Sequence, residues 1–135
     1  MTTVKIGRLK EGVYSDPKTG WSAYPFLYGF GSPEAGIRAV HLVAIYPGQV
    51  RGNHYHERTS EMLYIFAGRG VFYWEEEGNL KQHPIEGEQT VITIPPGIRH
   101  AFRNTGEGTV FLLAVRDGES DPKNPDVTPV ELVKP

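Results

Sequence analysis

The stretch Gly48-Gln-Val-Arg51-Gly-Asn-His54-Tyr-His56-Glu-Arg-Thr-Ser-Glu61-Met-Leu-Tyr64-Ile-Phe-Ala-Gly68 decides how this chain of 135 residues is read. Alternate side chains of a β-strand project from one face, so His54 and His56 can converge on a single ion. Glu61 falls out of that parity. The four residues between, Glu57-Arg-Thr-Ser60, are polar enough to turn, and a turn resets which residues face inward. Glu61, Leu63 and Ile65 then share the inner face. A second stretch, Gly87 to Asn104, carries a strand over Thr90–Ile94 into Pro95-Pro96-Gly97, and His100 opens the next strand. Proline fixes φ and glycine permits the turn to close, so His100 is aimed rigidly as a fourth ligand from across the sheet.

Working outward, the runs Glu61–Ala67, Val71–Glu75, Thr90–Ile94, His100–Arg103 and Thr109–Arg116 read as short strands, each bounded by Gly, Pro or Asn. Ile37–Tyr46 alternates with apolar residues on both faces, which predicts a strand covered on both sides. It ends at a Pro47-Gly48 turn. No segment sustains a 3.6-residue period, so the chain is expected to be all-β, a sandwich or small barrel. The first 36 residues are expected to form an arm, with a turn near Pro17 and an aromatic stretch Trp21–Phe30 lying on apolar surface. Gly29–Gly36 reads as a Gly/Pro turn. The Pro-rich tail 117–135 leaves Val130–Val133 as the segment able to pair. The whole, 1–135, is expected to be one domain, with its barrel core about 37–116, and no internal repeat is visible.

Composition narrows the function. Apolar residues make up 39% and charged residues 22%, a globular balance, and sixteen Gly with eleven Pro agree with many turns. The formal charge of −2 offers no field for phosphates, so no nucleic-acid partner is expected. With no cysteine there can be no disulfide, thiolate zinc site, iron–sulfur cluster or thiol nucleophile, and any metal must be held by His and carboxylate. The longest apolar run, Val110–Val115, is far short of a membrane span, and the first residues carry no apolar signal core, which predicts no membrane partner and a cytoplasmic location.

The two ligand-bearing stretches resemble the paired motifs of the cupin superfamily. The first fits G-x5-H-x-H-x4-E-x6-G at Gly48, His54, His56, Glu61 and Gly68; the second fits P-x-G-x2-H-x3-N at Pro95, Gly97, His100 and Asn104. Gly87 stands two residues further from Pro95 than the pattern usually has it. The resemblance covers roughly Ile37 to Arg116. It implies a double-stranded β-helix, or jelly-roll, barrel and a homodimer. Three imidazoles and one carboxylate suit a divalent transition ion, Mn, Fe, Zn, Ni, Co or Cu, rather than Ca or Mg. The run Arg51–His56 resembles cupin domains of nucleotide-sugar and capsular-polysaccharide enzymes. That implies a metal-dependent isomerase or epimerase on a small hydroxy-carbonyl or sugar-derived substrate. A cupin dioxygenase and a non-catalytic ligand-binding barrel are the alternatives.

Around the ligands, Arg51 and Arg99 are candidates to hold an anionic substrate group. Tyr64, with Phe66, Phe102 and Trp74, either lines the pocket or packs the barrel. His41 is a packed strand histidine or, if its face points inward, a proton shuttle. Asn104 either orients a ligand or closes the Asn104-Thr-Gly106 turn, and the turn is favoured. His83 reads as solvated, and Glu75-Glu-Glu77 before Gly78-Asn79 as a solvated hairpin end. Gly31-x4-Gly36 lacks the Lys-Ser/Thr of a phosphate loop, and there is no HExxH.

Overall fold

The computed structural model describes residues 3–25, 36–118, 123 and 125–135. Twelve strands and no helix are present among them. The strands are β1 (Lys5–Arg8), β2 (Val13–Asp16), β3 (Gly20–Ala23), β4 (Ala39–Ile45), β5 (Val50–Tyr55), β6 (Glu61–Ala67), β7 (Gly70–Glu76), β8 (Asn79–Ile85), β9 (Thr90–Ile94), β10 (His100–Asn104), β11 (Val110–Arg116) and β12 (Thr128–Pro129). One five-stranded sheet runs β1-β9-β6-β11-β4, a second runs β12-β5-β10-β7-β8, and β2-β3 form a separate hairpin. Every pairing is antiparallel. This is the expected all-β jelly roll.

The core lies between the two large sheets. Leu63 and Ile65 of β6, Ile92 and Ile94 of β9, and Leu112 and Ala114 of β11 meet Phe72 of β7, Ile85 of β8 and Phe102 of β10. Burying each of the larger side chains contributes about 1.5–3 kcal/mol. The opposite face of the first sheet is also apolar. Met62, Tyr64, Val91 and Val115 pack there with Leu9, Val13 and Ala23, so the β2-β3 hairpin covers part of it. Asp16 Oδ1 accepts hydrogen bonds from the N–H groups of Lys18 (2.7 Å) and Thr19 (3.3 Å), which closes the expected turn at Pro17.

Four expectations change. The strand over Ile37–Tyr46 is covered on one face only: β4 is a sheet edge, with Val40 and Leu42 at 60% and 76% exposure. Its alternation reports apolarity and not the presence of a cover. The N-terminal arm begins with β1, which pairs along β9 of its own sheet. In the tail the paired residues are Thr128 and Pro129, not Val130–Val133. Pro129 is tolerated because β12 is an edge, and beyond it the chain turns to satisfy Asn53. Finally β8, unmarked by any apolar alternation, pairs with β7 while keeping six of its seven residues exposed. Phe26–Phe30 of the aromatic stretch, and Gly29–Ala35 of the Gly/Pro turn, lie outside the described residues.

Candidate metal centre

His54, His56, Glu61 and His100 come together, each offering one ligand atom, with all four atoms within 4.8 Å of one another. Strand β5 does not run straight into this position. Asn53 is an extra residue between the pairs His100–His54 and Ala101–Gly52, a bulge in which Gly52 and Asn53 both adopt positive φ. A Cβ on Gly52 would lie 3.0 Å from Ala101 Cα and 3.0 Å from His100 O, so the close approach of β5 to β10 requires glycine there. The bulge re-aims His54 beside His56. Residues 57–60 then leave the sheet, and Glu61 enters β6 facing inward with Leu63 and Ile65, the parity reset the sequence implied.

His100 is aimed from the Pro95-Pro96-Gly97 turn, whose Gly97 N–H donates to His56 O at 2.7 Å and so ties the turn to the opposite ligand stretch. Its Nδ1 lies 2.9 Å from Ile98 O, an acceptor only, so Nδ1 carries the proton and Nε2 is the free nitrogen. His56 has the same arrangement: Nδ1 donates to Asp126 O at 2.7 Å. Arg116 Nη1 lies 3.2 Å from that Nδ1, but two donors cannot bond each other, and the guanidinium acts on Glu61 instead, Nε to Oε2 being 3.9 Å.

The arrangement left inside is a conflict that a cation resolves. Glu61 Oε1 sits 3.3 Å from His56 Nε2 and 3.4 Å from His100 Nε2. Glu61, His56 and His100 are 6%, 4% and 3% exposed, and His56 Nε2 is buried without a hydrogen-bond partner. Lone pairs facing one another in a dry site repel unless a proton or a shared cation lies among them, and one cation serves all three groups at once. The donor set therefore fits a divalent transition ion, with the Nδ1–H bonds fixing the ring tautomers from behind.

Titration follows the same geometry. Burial pulls the His56 imidazole down, but the adjoining Glu61 carboxylate and the Asp126 carbonyl outweigh it, and its pKa is raised. His54 is pulled down to about 4, by burial first and then by His100 and His56. Glu61 is held well below the usual carboxylate range: burial opposes this, and the His100 and His56 rings outweigh burial.

The site forms one wall of a pocket of about 360 Å³, lined also by His41 and Arg51 and by Leu63, Phe72, Phe102 and Leu112. His41 thus borders the pocket at its exposed side, and partial burial lowers its pKa. Arg99 is outside, paired with Glu75 at 2.8 Å and lying over the Tyr55 ring at 5.5 Å. Tyr64 is on the other side of the first sheet, its hydroxyl donating to Gln89 Oε1. Phe66 accompanies it there, Trp74 stacks on Phe72, and of the four aromatics only Phe102 lines the pocket. Asn104 closes its turn, Oδ1 accepting from Gly106 N–H while Nδ2 donates to Ile45 O and Gly108 O, each at 2.8 Å. His83 is exposed, and Glu77-Gly78 forms the β7-β8 hairpin turn.

Two residues at the site escaped the sequence reading. Arg116 was visible only as the end of a strand, and Asp126 only as part of a Pro-rich tail. The Asp126 carboxyl titrates below its ordinary range; burial opposes, and the N–H groups of Arg58 and Glu57 outweigh it.

The family model described as a cupin domain matches residues 41–116. An oxalate-binding protein of Thermotoga maritima is 38% identical over 69 residues, 51% of this chain and 53% of that protein. A glucose-6-phosphate isomerase of Thermococcus onnurineus is 34% identical over 80 residues, 53% of this chain and 42% of that protein. The chain spans about half the length, or less, of the curated relatives it matches. Among solved structures, a 3,4-ketoisomerase from Helicobacter canadensis superposes with a TM-score of 0.73 over 95% of this chain and 91% of that one, at 15% identity, a likeness of fold. Among the described residues no helix is long and apolar enough to cross a membrane.

Proposed function

The chain belongs to the cupin family, and from that membership we propose that it is a metal-dependent isomerase or epimerase acting on a small hydroxy-carbonyl substrate, sugar-derived in the first instance. The observation that carries the reading is the convergence of four ligand atoms, with His54, Glu61 and His100 on the wall of a 360 Å³ pocket whose lining also includes His41 and Arg51. A divalent ion bound by His54, His56, Glu61 and His100 supplies Lewis-acid polarisation of substrate oxygens. The rest of the chemistry falls to the chain. His41, its pKa lowered by burial, is neutral near pH 7 and can take a proton from the carbon beside a carbonyl. Where that carbon bears a hydroxyl, returning the proton to the former carbonyl carbon while the hydroxyl proton passes to the carbonyl oxygen gives isomerisation; protonation of the same carbon from the opposite face by water, with His41 keeping the abstracted proton for solvent, gives epimerisation. Arg51 holds an anionic group of the substrate, while Leu63, Phe72, Phe102 and Leu112 keep the inner pocket dry.

Incubating metal-loaded protein with keto-sugars and ketoses in deuterated water tests this. Deuterium is expected at the carbon next to the carbonyl and is expected to disappear in His41→Asn; no exchange into any such substrate contradicts the reading. One observation favours a second reading, a non-catalytic binding barrel. The Thermotoga maritima relative is an oxalate-binding protein, and Arg51 offers this pocket a cation for a small dicarboxylate. Calorimetric binding of oxalate without turnover supports that alternative, and oxygen consumption with Fe(II) supports dioxygenase chemistry instead.

We also infer a homodimer. Val40, Leu42 and Phe111 leave an apolar patch on and beside edge strand β4, with exposures of 60%, 76% and 44%. Size-exclusion mass is expected at twice the chain mass and to fall to one chain in Leu42→Glu; a monomeric parent contradicts it.

A further inference from the structure

Residues 57–60, which join the second ligand histidine to the ligand carboxylate, have no strand partner of their own. Three of their four N–H groups go to one distant carboxylate. Asp126 Oδ1 accepts from Glu57 N–H at 2.8 Å, and Oδ2 accepts from Arg58 N–H and Thr59 N–H at 3.0 Å each and from the Thr59 hydroxyl at 3.1 Å. The backbone carbonyl of the same residue takes the Nδ1 proton of His56, 70 positions earlier in the chain. The loop's other end is held by Asp117, whose Oδ1 accepts from Ser60 N–H at 2.9 Å.

The tail continues along the same strand. Thr128 and Pro129 pair with Tyr55 and His54, and Val130 N–H donates to Asn53 O at 2.8 Å. Asn53, the bulge residue, accepts from Leu132 and Val133 N–H through Oδ1 and donates from Nδ2 to Val133 O at 2.8 Å. Each residue from Asn53 to Thr59, other than the charged tips of Glu57 and Arg58, therefore meets the tail through its backbone or, at His56, through its ring.

We propose that the segment 126–133 is a strap belonging to the metal centre, with Asp126 the positioning residue that sets the His56 tautomer and the turn bringing Glu61 inward. This rests on the metal-binding reading above. The chemistry favours aspartate specifically. Four donors converge, one on Oδ1 and three on Oδ2, and a carboxylate presents acceptors on both oxygens, whereas an asparagine would put an NH₂ against at least one of them. Without that acceptor the loop N–H groups must turn to water, the turn that resets strand parity loses its support, and the Asp126 carbonyl, which any residue supplies, is no longer held against His56 Nδ1.

Two readouts on the full-length protein test the strap: the ring-nitrogen NMR signals of His56 in metal-free protein at pH 8.5, and Zn and Mn affinity by chelator competition. The parent is expected to carry the His56 proton on Nδ1. Asp126→Ala is expected to shift that proton toward Nε2 and to weaken metal binding by about 10–100-fold, the range typical of groups that orient ligands. Asp126→Asn is expected between the two and serves if the alanine variant does not fold. A variant with a lowered melting temperature but the parent's tautomer and an affinity within about twofold of the parent overturns the proposal, because a merely structural tail gives that result. A parent that binds neither ion sinks the metal reading by itself, and the tautomer comparison still decides whether Asp126 positions His56.

Discussion

The two stretches that supply ligands are supported in opposite ways. His100 is held from nearby: a Pro-Pro-Gly turn precedes it, and Ile98, two residues back, accepts its Nδ1 proton. His54, His56 and Glu61 are held from a distance, by Asp126 and Asp117, by the tail strand and by Arg116 beside Glu61. Both stretches meet, through Gly97 N–H and His56 O, around one position. A ligand aimed by its own neighbours tolerates change elsewhere in the chain. A ligand aimed by remote residues depends on the whole fold being in register.

The largest effect should fall equally on both sides. Glu61→Ala and His100→Ala each remove a first ligand, and each is expected to weaken metal affinity on the order of 100-fold or more. Weakened binding in one variant with the parent's affinity in the other, by chelator competition, would break the picture of one shared ion. Gly52→Ala comes next. Its φ of 100° and the 3.0 Å approach to the β10 backbone predict a loss of about 2 kcal/mol in urea unfolding, with weakened metal binding, since the bulge aims His54. A neutral substitution would show that the bulge does not set the remote-held half.

pH separates the halves further. The His54 pKa in the fold, about 4, lies below its ordinary 6.5. The unfolded chain therefore takes up this proton first, so through His54 the metal-free fold loses stability as pH falls from about 6.5 to about 4, and none is lost above 6.5. His54→Asn should flatten that part of the stability–pH curve; an unchanged slope contradicts the assignment. The smallest effect is expected at the locally supported ligand. Pro96→Ala loosens only the turn before His100 and should cost about 0.5–1 kcal/mol, with metal affinity changed less than in Asp126→Ala. The reverse order would invert the comparison.

The same division explains what could be read from sequence. The parity of His54 and His56, the turn that returns Glu61 inward and the Pro95-Pro96-Gly97 lead into His100 are all local patterns, and the structure has each of them. Asp126 carries no local mark: an aspartate between Pro125 and Val127 reads as a turn residue, and its meaning lies in N–H groups 67 to 69 positions away. Arg116 likewise ends an apolar strand with nothing to point it at Glu61. Strand β8 leaves no mark in the sequence because a solvated strand alternates polar with polar, and β4 shows the same apolar alternation whether or not anything covers it.

The central claim is that the four donors hold one cation, and metal content measures it most directly. Elemental analysis of protein purified without added metal is expected to give about one transition-metal ion per chain, falling to near zero in each single alanine variant of His54, His56, Glu61 and His100. Parent protein free of metal and unable to take up Mn, Fe, Zn, Ni, Co or Cu, or variants that keep their ion, would contradict it.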